Sequence, residues 1–89
     1  MEREVIVRKE SGLRSRAATI FVLNANKFKS NIYVELEGTR VNAKSIILLV
    51  SLGINRDCKI KIIAEGVDEE RAINVLSNLV EGEFVSIAN

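Results

Sequence analysis

The chain has 89 residues, 47% hydrophobic and 28% charged, with no proline and five glycines. That length predicts a single domain over residues 1–89, because a chain of this size buries roughly 60–65% of the surface its unfolded form exposes. The composition excludes a disordered chain. Thirteen basic against twelve acidic residues leave a net charge of +1, which argues against a protein whose main work is gripping nucleic acid. Cys58 is the only cysteine and histidine is absent, which excludes an internal disulfide and a thiolate zinc cluster. Any metal site would need oxygen ligands alone, and no calcium-loop spacing of aspartates exists, so neither metal nor cofactor is expected. The longest apolar run, Ile46–Val50, is too short to span a bilayer, and Met1–Glu4 has no signal-peptide core. These absences predict a cytoplasmic protein with no membrane partner.

Two periodicities alternate along the chain. Glu4–Arg8 is short, β-branched and flanked by charge, and reads as a strand; a loop follows through Glu10, Ser11, Gly12 and Leu13. From Ser15 the pattern turns helical, with Ala18, Phe21, Val22, Ala25 and Phe28 on one apolar face. Arg14 or Ser15 stands where an N-cap belongs, and Ser15 is the better capping residue. Asn31–Leu36 alternates as a strand with Ile32, Val34 and Leu36 on one side, leaving Tyr33 and Glu35 for the surface. Glu37-Gly38 suits a tight hairpin turn into a partner strand, Thr39–Asn42.

Ser45 before the apolar block Ile46–Leu52, and Gly53 after it, are start and stop signals of a short helix. A helix so short cannot bury all of Ile46, Ile47, Leu48, Leu49, Val50 and Leu52, so part of that surface is expected to be exposed, as partner sites are. Cys58–Ile63 alternates as a strand with Cys58, Ile60 and Ile62 toward the core; Cys58 reads as a small buried residue. Asp68 is placed to cap a last helix, with Glu69 and Glu70 at its positive end. Its apolar face is Ala72, Val75 or Leu76, Leu79 and Val80, and Gly82 stops it before a short tail. The order β-α-β-β-α-β-α predicts an α+β fold, a four-stranded sheet with helices on one face.

Two local sequences make a family resemblance specific. Ser11-Gly12-Leu13-Arg14-Ser15-Arg16-Ala17-Ala18-Thr19 resembles the active-site motif of the HPr family of the bacterial phosphotransferase system, and Val41-Asn42-Ala43-Lys44-Ser45-Ile46 with Ser51-Leu52-Gly53 resembles its regulatory serine segment. The agreement runs from about Val5 to Val80. The resemblance implies an HPr-like open-faced β-sandwich with an antiparallel sheet and three helices. It also puts Arg14 at the position of the family's phosphoaccepting histidine and Ala17 at that of a proline. A guanidinium stays protonated, with a pKa above about 12, and offers no lone pair to phosphorylate, so no phosphocarrier chemistry is expected and no catalytic residue is assigned. Arg16 is retained.

The intact serine segment makes the chain more similar to the histidine-lacking catabolite repression (Crh) branch of the family than to HPr itself. That similarity implies phosphorylation of Ser45 by HPr kinase/phosphorylase. The phosphorylated form would then be corepressor for a LacI-type regulator resembling catabolite control protein A, with no direct contact to nucleic acid. Arg14, Arg16, Thr19, Ser45, Ile46, Ile47 and Val50 are the implied partner-binding residues. Arg14 differs from the glutamine typical of Crh, and Leu48 from a glycine common in the family. Arg14, Arg16, Arg40 and Lys44 are expected to form a basic surface beside Ser45. The same resemblance allows an effector of a metabolic enzyme or sugar-transport component, and a homodimer that exchanges first strands.

Overall fold

The computed structural model describes residues 1–8, 10 and 12–82, so the expected loop position Ser11 and the short tail beyond Gly82 lie outside the described residues. The elements are β1 (Glu2–Ile6), α1 (Ser15–Ala25), β2 (Asn31–Leu36), β3 (Thr39–Asn42), α2 (Ile46–Ser51), β4 (Lys59–Glu65) and α3 (Glu69–Glu81). The strands form one antiparallel sheet in the order β1-β4-β2-β3. With the three helices of the described residues against the sheet, this is the expected α+β open-faced sandwich.

Strand alternation decides which side faces the helices. Val5, Ile32, Val34, Ile60, Ile62 and Ala64 point inward and are buried against Ala18 and Phe21 of α1, Leu49 of α2 and Ala72, Ile73, Leu76, Leu79 and Val80 of α3. The apolar face of α3 thus takes Leu76, with Val75 only half-buried, and adds Ile73. Between β2 and β3, Glu37 and Gly38 both have positive φ, 50° and 84°, the backbone of a two-residue turn matched to strand twist.

On the outward face one register row crosses all four strands with alternating charge: Glu4 opposite Lys61, Lys61 opposite Glu35, Glu35 opposite Arg40. Opposite charges directly across a ladder stabilise it, and like charges there would not. Arg40 lies 3.4 Å from the Glu35 carboxylate and 5.7 Å over the Tyr33 ring. Glu35, within this row, and Tyr33, beside it under Arg40, are therefore half-buried and not plain surface residues.

Several boundaries differ from the sequence expectation, each for a tertiary reason. β1 starts at Glu2, because Glu2 and Arg3 pair with Ile63 and Ile62. β4 runs on to Glu65, because Asn31 pairs with Glu65. Cys58 stands just before β4 and is half-buried: its N–H donates to Asn55 in a turn where Asp57 has φ 73°. Phe28 lies beyond α1, which ends at Ala25, and packs half-buried on the core from the following turn.

Asp68 precedes α3 but its side chain does not cap that helix. The carboxylate instead accepts from the Lys29 N–H at 2.9 Å, the Ser30 N–H at 3.0 Å and the Ser30 hydroxyl, fastening the start of β2 to the start of α3. The Gly66 N–H at the same helix end is taken by Glu69 at 3.1 Å. The Ser30 hydroxyl, then the Lys29 N–H, lower the Asp68 pKa from its ordinary 3.8 to about 2. A carboxylate depressed in this way contributes stability that is present above about pH 4 and is lost as pH falls toward the folded value. Melting temperatures of the wild type and Asp68→Asn should therefore differ most above about pH 4 and converge as the pH approaches 2. A gap independent of pH would contradict this role.

Candidate functional site

The loop before α1 and the segment around α2 are brought together by backbone. The Leu13 N–H donates to the Ile54 carbonyl at 3.1 Å, just after α2. Gly12 makes that approach sterically feasible: a Cβ there would stand 2.1 Å from the Ile54 oxygen, and its φ is +69°. α1 then starts with Arg14, extended at φ −135°, as N-cap, its carbonyl accepting from Ala17 and Ala18. Ser15, the better capping type, is not the cap; it is the first helical residue, with φ 51°. The Leu13–Ile54 tie sets where the chain turns, ahead of local capping preference. Arg14, Arg16 and Thr19 are exposed, and the Thr19 hydroxyl donates back to the Ser15 carbonyl at 3.2 Å.

Ser45 is the N-cap of α2, as its residue type predicts. Its backbone is extended, its Oγ accepts from the Leu48 N–H at 3.3 Å, and its carbonyl accepts from the Leu49 N–H at 3.0 Å. The side chain is half-buried. Of the apolar residues within α2 only Leu49 is buried; Ile46, Ile47, Leu48 and Val50 are 38%, 78%, 43% and 40% exposed. This exposed apolar surface is what the length of the helix led one to expect, and it is the kind that marks a docking site.

Leu23 on α1, 55% exposed, is a further large apolar residue at the surface that periodicity did not single out, because it falls off the Phe21–Ala25 face. α1 and α2 are in contact with each other.

Of the four cations expected to form a basic surface beside Ser45, two are engaged elsewhere. Arg40 is turned to the outward sheet face and engaged with Glu35 and Tyr33. The Lys44 ammonium donates to the Phe28 carbonyl at 2.6 Å. Arg14 and Arg16 remain at the exposed start of α1. Among the described residues no group of three or more His, Cys, Asp or Glu could hold a metal ion, and no helix is long and apolar enough to cross a membrane.

Comparison with known proteins covers nearly the whole chain, both segments included. The family model for the PTS HPr component phosphorylation site matches residues 1–82. The HPr-like protein Crh of Halalkalibacterium halodurans is 43% identical over 83 residues, covering 93% of this chain and 99% of that protein. Among solved structures, HPr-C-His from Thermoanaerobacter tengcongensis superposes with a TM-score of 0.92 at 43% identity, covering 94% of each chain. The crystal structure of Crh from Bacillus subtilis, described as a domain-swapped dimer, superposes with a TM-score of 0.73 at 41% identity, covering 88% of this chain and 90% of that one.

Proposed function

The chain belongs to the HPr family, and on that premise we propose that it is a Crh-type regulatory protein of carbon catabolite repression, phosphorylated on Ser45 by HPr kinase/phosphorylase. In this reading it is a cytoplasmic, non-catalytic partner protein. Its phosphoserine form docks through α1 and α2 on a LacI-type regulator resembling catabolite control protein A and acts as corepressor.

The observation that carries the reading is the pairing of two helix starts. At one, Arg14 stands where the family keeps a nucleophilic imidazole; its permanently protonated guanidinium cannot accept and return a phosphoryl group. At the other, Ser45 presents a hydroxyl at the head of a helix whose Ile46, Ile47 and Val50 stand exposed. A phosphate there brings three acceptor oxygens and up to about two negative charges to amide groups that need acceptors, so it marks the surface without unfolding it. Treatment with HPr kinase/phosphorylase and ATP should add one phosphate, read by intact mass. Ser45→Ala should take up none, and equal uptake by that variant would refute the assignment.

Arg14 in this reading supplies a fixed positive charge to the docking surface, meeting acidic groups of the regulator. Binding by Arg14→Gln should weaken a few-fold at low salt and lose part of its salt dependence, since exposed charges are screened beyond about 8 Å at physiological ionic strength. An unchanged salt profile would remove Arg14 from the interface. Strand exchange into a homodimer is a further expectation: among the described residues β1 is an edge strand that pairs with β4 alone. Light scattering across a concentration series tests it.

A further inference from the structure

In the unmodified chain Lys44 is committed to a partner on another element. Its ammonium lies 2.6 Å from the carbonyl oxygen of Phe28, in the turn that closes α1, where the Asn26, Lys27 and Phe28 N–H groups donate to Val22, Asn24 and Ala25. α1 has no basic residue in its own last turn. A cation from outside the helix, on the residue next to Ser45, therefore stands in the turn just past its negative end. The Asn26 side-chain amide adds a second tie, donating at 2.9 Å to the Val22 carbonyl and at 3.2 Å to that of Lys44.

The peptide group that receives Lys44 is held at both ends. Its oxygen belongs to Phe28; its N–H belongs to Lys29 and donates at 2.9 Å to the Asp68 carboxylate at the start of α3. A cation on the oxygen and an anion on the N–H polarise the group in the same sense, so each bond strengthens the other. Removing the cation weakens the bond to Asp68.

We infer that Lys44 is the element that reads the state of Ser45: when Ser45 carries phosphate, the Lys44 ammonium leaves the Phe28 carbonyl for the phosphate oxygens and relaxes the Phe28–Lys29 peptide group that joins α1 to α3. The inference rests on the Ser45 reading proposed above. Neighbouring Cα atoms are about 3.8 Å apart, so a long lysine stem and a phosphate on the next side chain share the same reach. A group with about −1.5 to −2 charges and three acceptor oxygens competes well for an ammonium against a neutral carbonyl. The backbone need not move: Lys44 N–H donates to the Asn42 side chain at 2.9 Å and Ser45 N–H to the Asn42 carbonyl at 3.2 Å. The change is confined to one side chain, yet its effect reaches the far end of α1 and the start of α3.

The test is NMR of the full chain with phosphoserine installed at position 45 during translation, compared with the unmodified chain. The phosphorylated chain should show the Phe28 carbonyl carbon and the Lys29 amide proton moved upfield, and faster hydrogen exchange at Lys29. In Lys44→Met, and in the second neutral variant Lys44→Gln, the same comparison should show none of these changes. Wild-type perturbations confined to residues 42–49, or the same changes at Phe28 and Lys29 in the neutral variants, would overturn the inference. Because the phosphate is installed without a kinase, a kinase that ignores Ser45 counts against the proposed function and leaves this test standing.

Discussion

Ile47→Asp is expected to weaken binding of the Ser45-phosphorylated chain to a LacI-type catabolite regulator by roughly 30-fold or more, about 2 kcal/mol. Ile47 is the most exposed of the apolar residues in α2, at 78%, so it contributes little to the core and much to any surface that covers it. Covering it removes apolar area from water; an aspartate there would have to be desolvated without a partner. The fold should not notice, since surface substitutions commonly stay within about 0.5 kcal/mol. Calorimetric titration together with a melting curve checks both halves. Unchanged affinity would place the docking surface elsewhere, and a collapsed melting temperature would show that Ile47 supports the fold.

Phe21→Ala should produce the opposite pattern, with a loss of about 3–5 kcal/mol in urea unfolding. Phe21 is fully buried, near the middle of α1, within the cluster that joins α1 to the inward faces of the strands and to α3. Truncation removes its transfer energy and leaves a cavity that a well-packed interior closes only in part. For a domain whose whole stability is of the order of 5–15 kcal/mol, that is a large share. Leu23→Ala on the same helix is the control: at 55% exposure it should shift stability by about 0.5 kcal/mol or less. Equal losses from the two variants would mean that α1 packs through a different face.

What the sequence made legible is what depends on neighbours in the chain. β2, its turn at Glu37-Gly38 and β3 follow from strict alternation and a two-residue connection, and they stand where alternation puts them. Ser45 caps α2 because capping is a local act between a side chain and the next few N–H groups. Distant partners account for the differences. The end of β4 is set by Asn31 and the start of β1 by Ile63. Ser15 loses the cap position to Arg14, where Leu13 is tied to Ile54.

The charged residues were least legible, since a cation's partner can lie anywhere in the fold. Asp68 reaches across to Ser30 in place of its own helix, Arg40 joins a cross-strand row, and Lys44 serves the end of α1. The candidate site was legible in its residue types through resemblance to the HPr motifs. Leu23 was not, because helical periodicity says which residues turn inward and is silent on which outward ones are used.

We propose that this chain receives a phosphate signal at Ser45 and delivers it by binding. The affinity of a LacI-type catabolite control protein should be measured for three forms: unmodified chain, kinase-treated wild type and kinase-treated Ser45→Ala. Kinase-treated wild type should bind roughly tenfold or more tightly than the other two, the scale of one or two charge-assisted hydrogen bonds. Equal affinity for all three forms would contradict it.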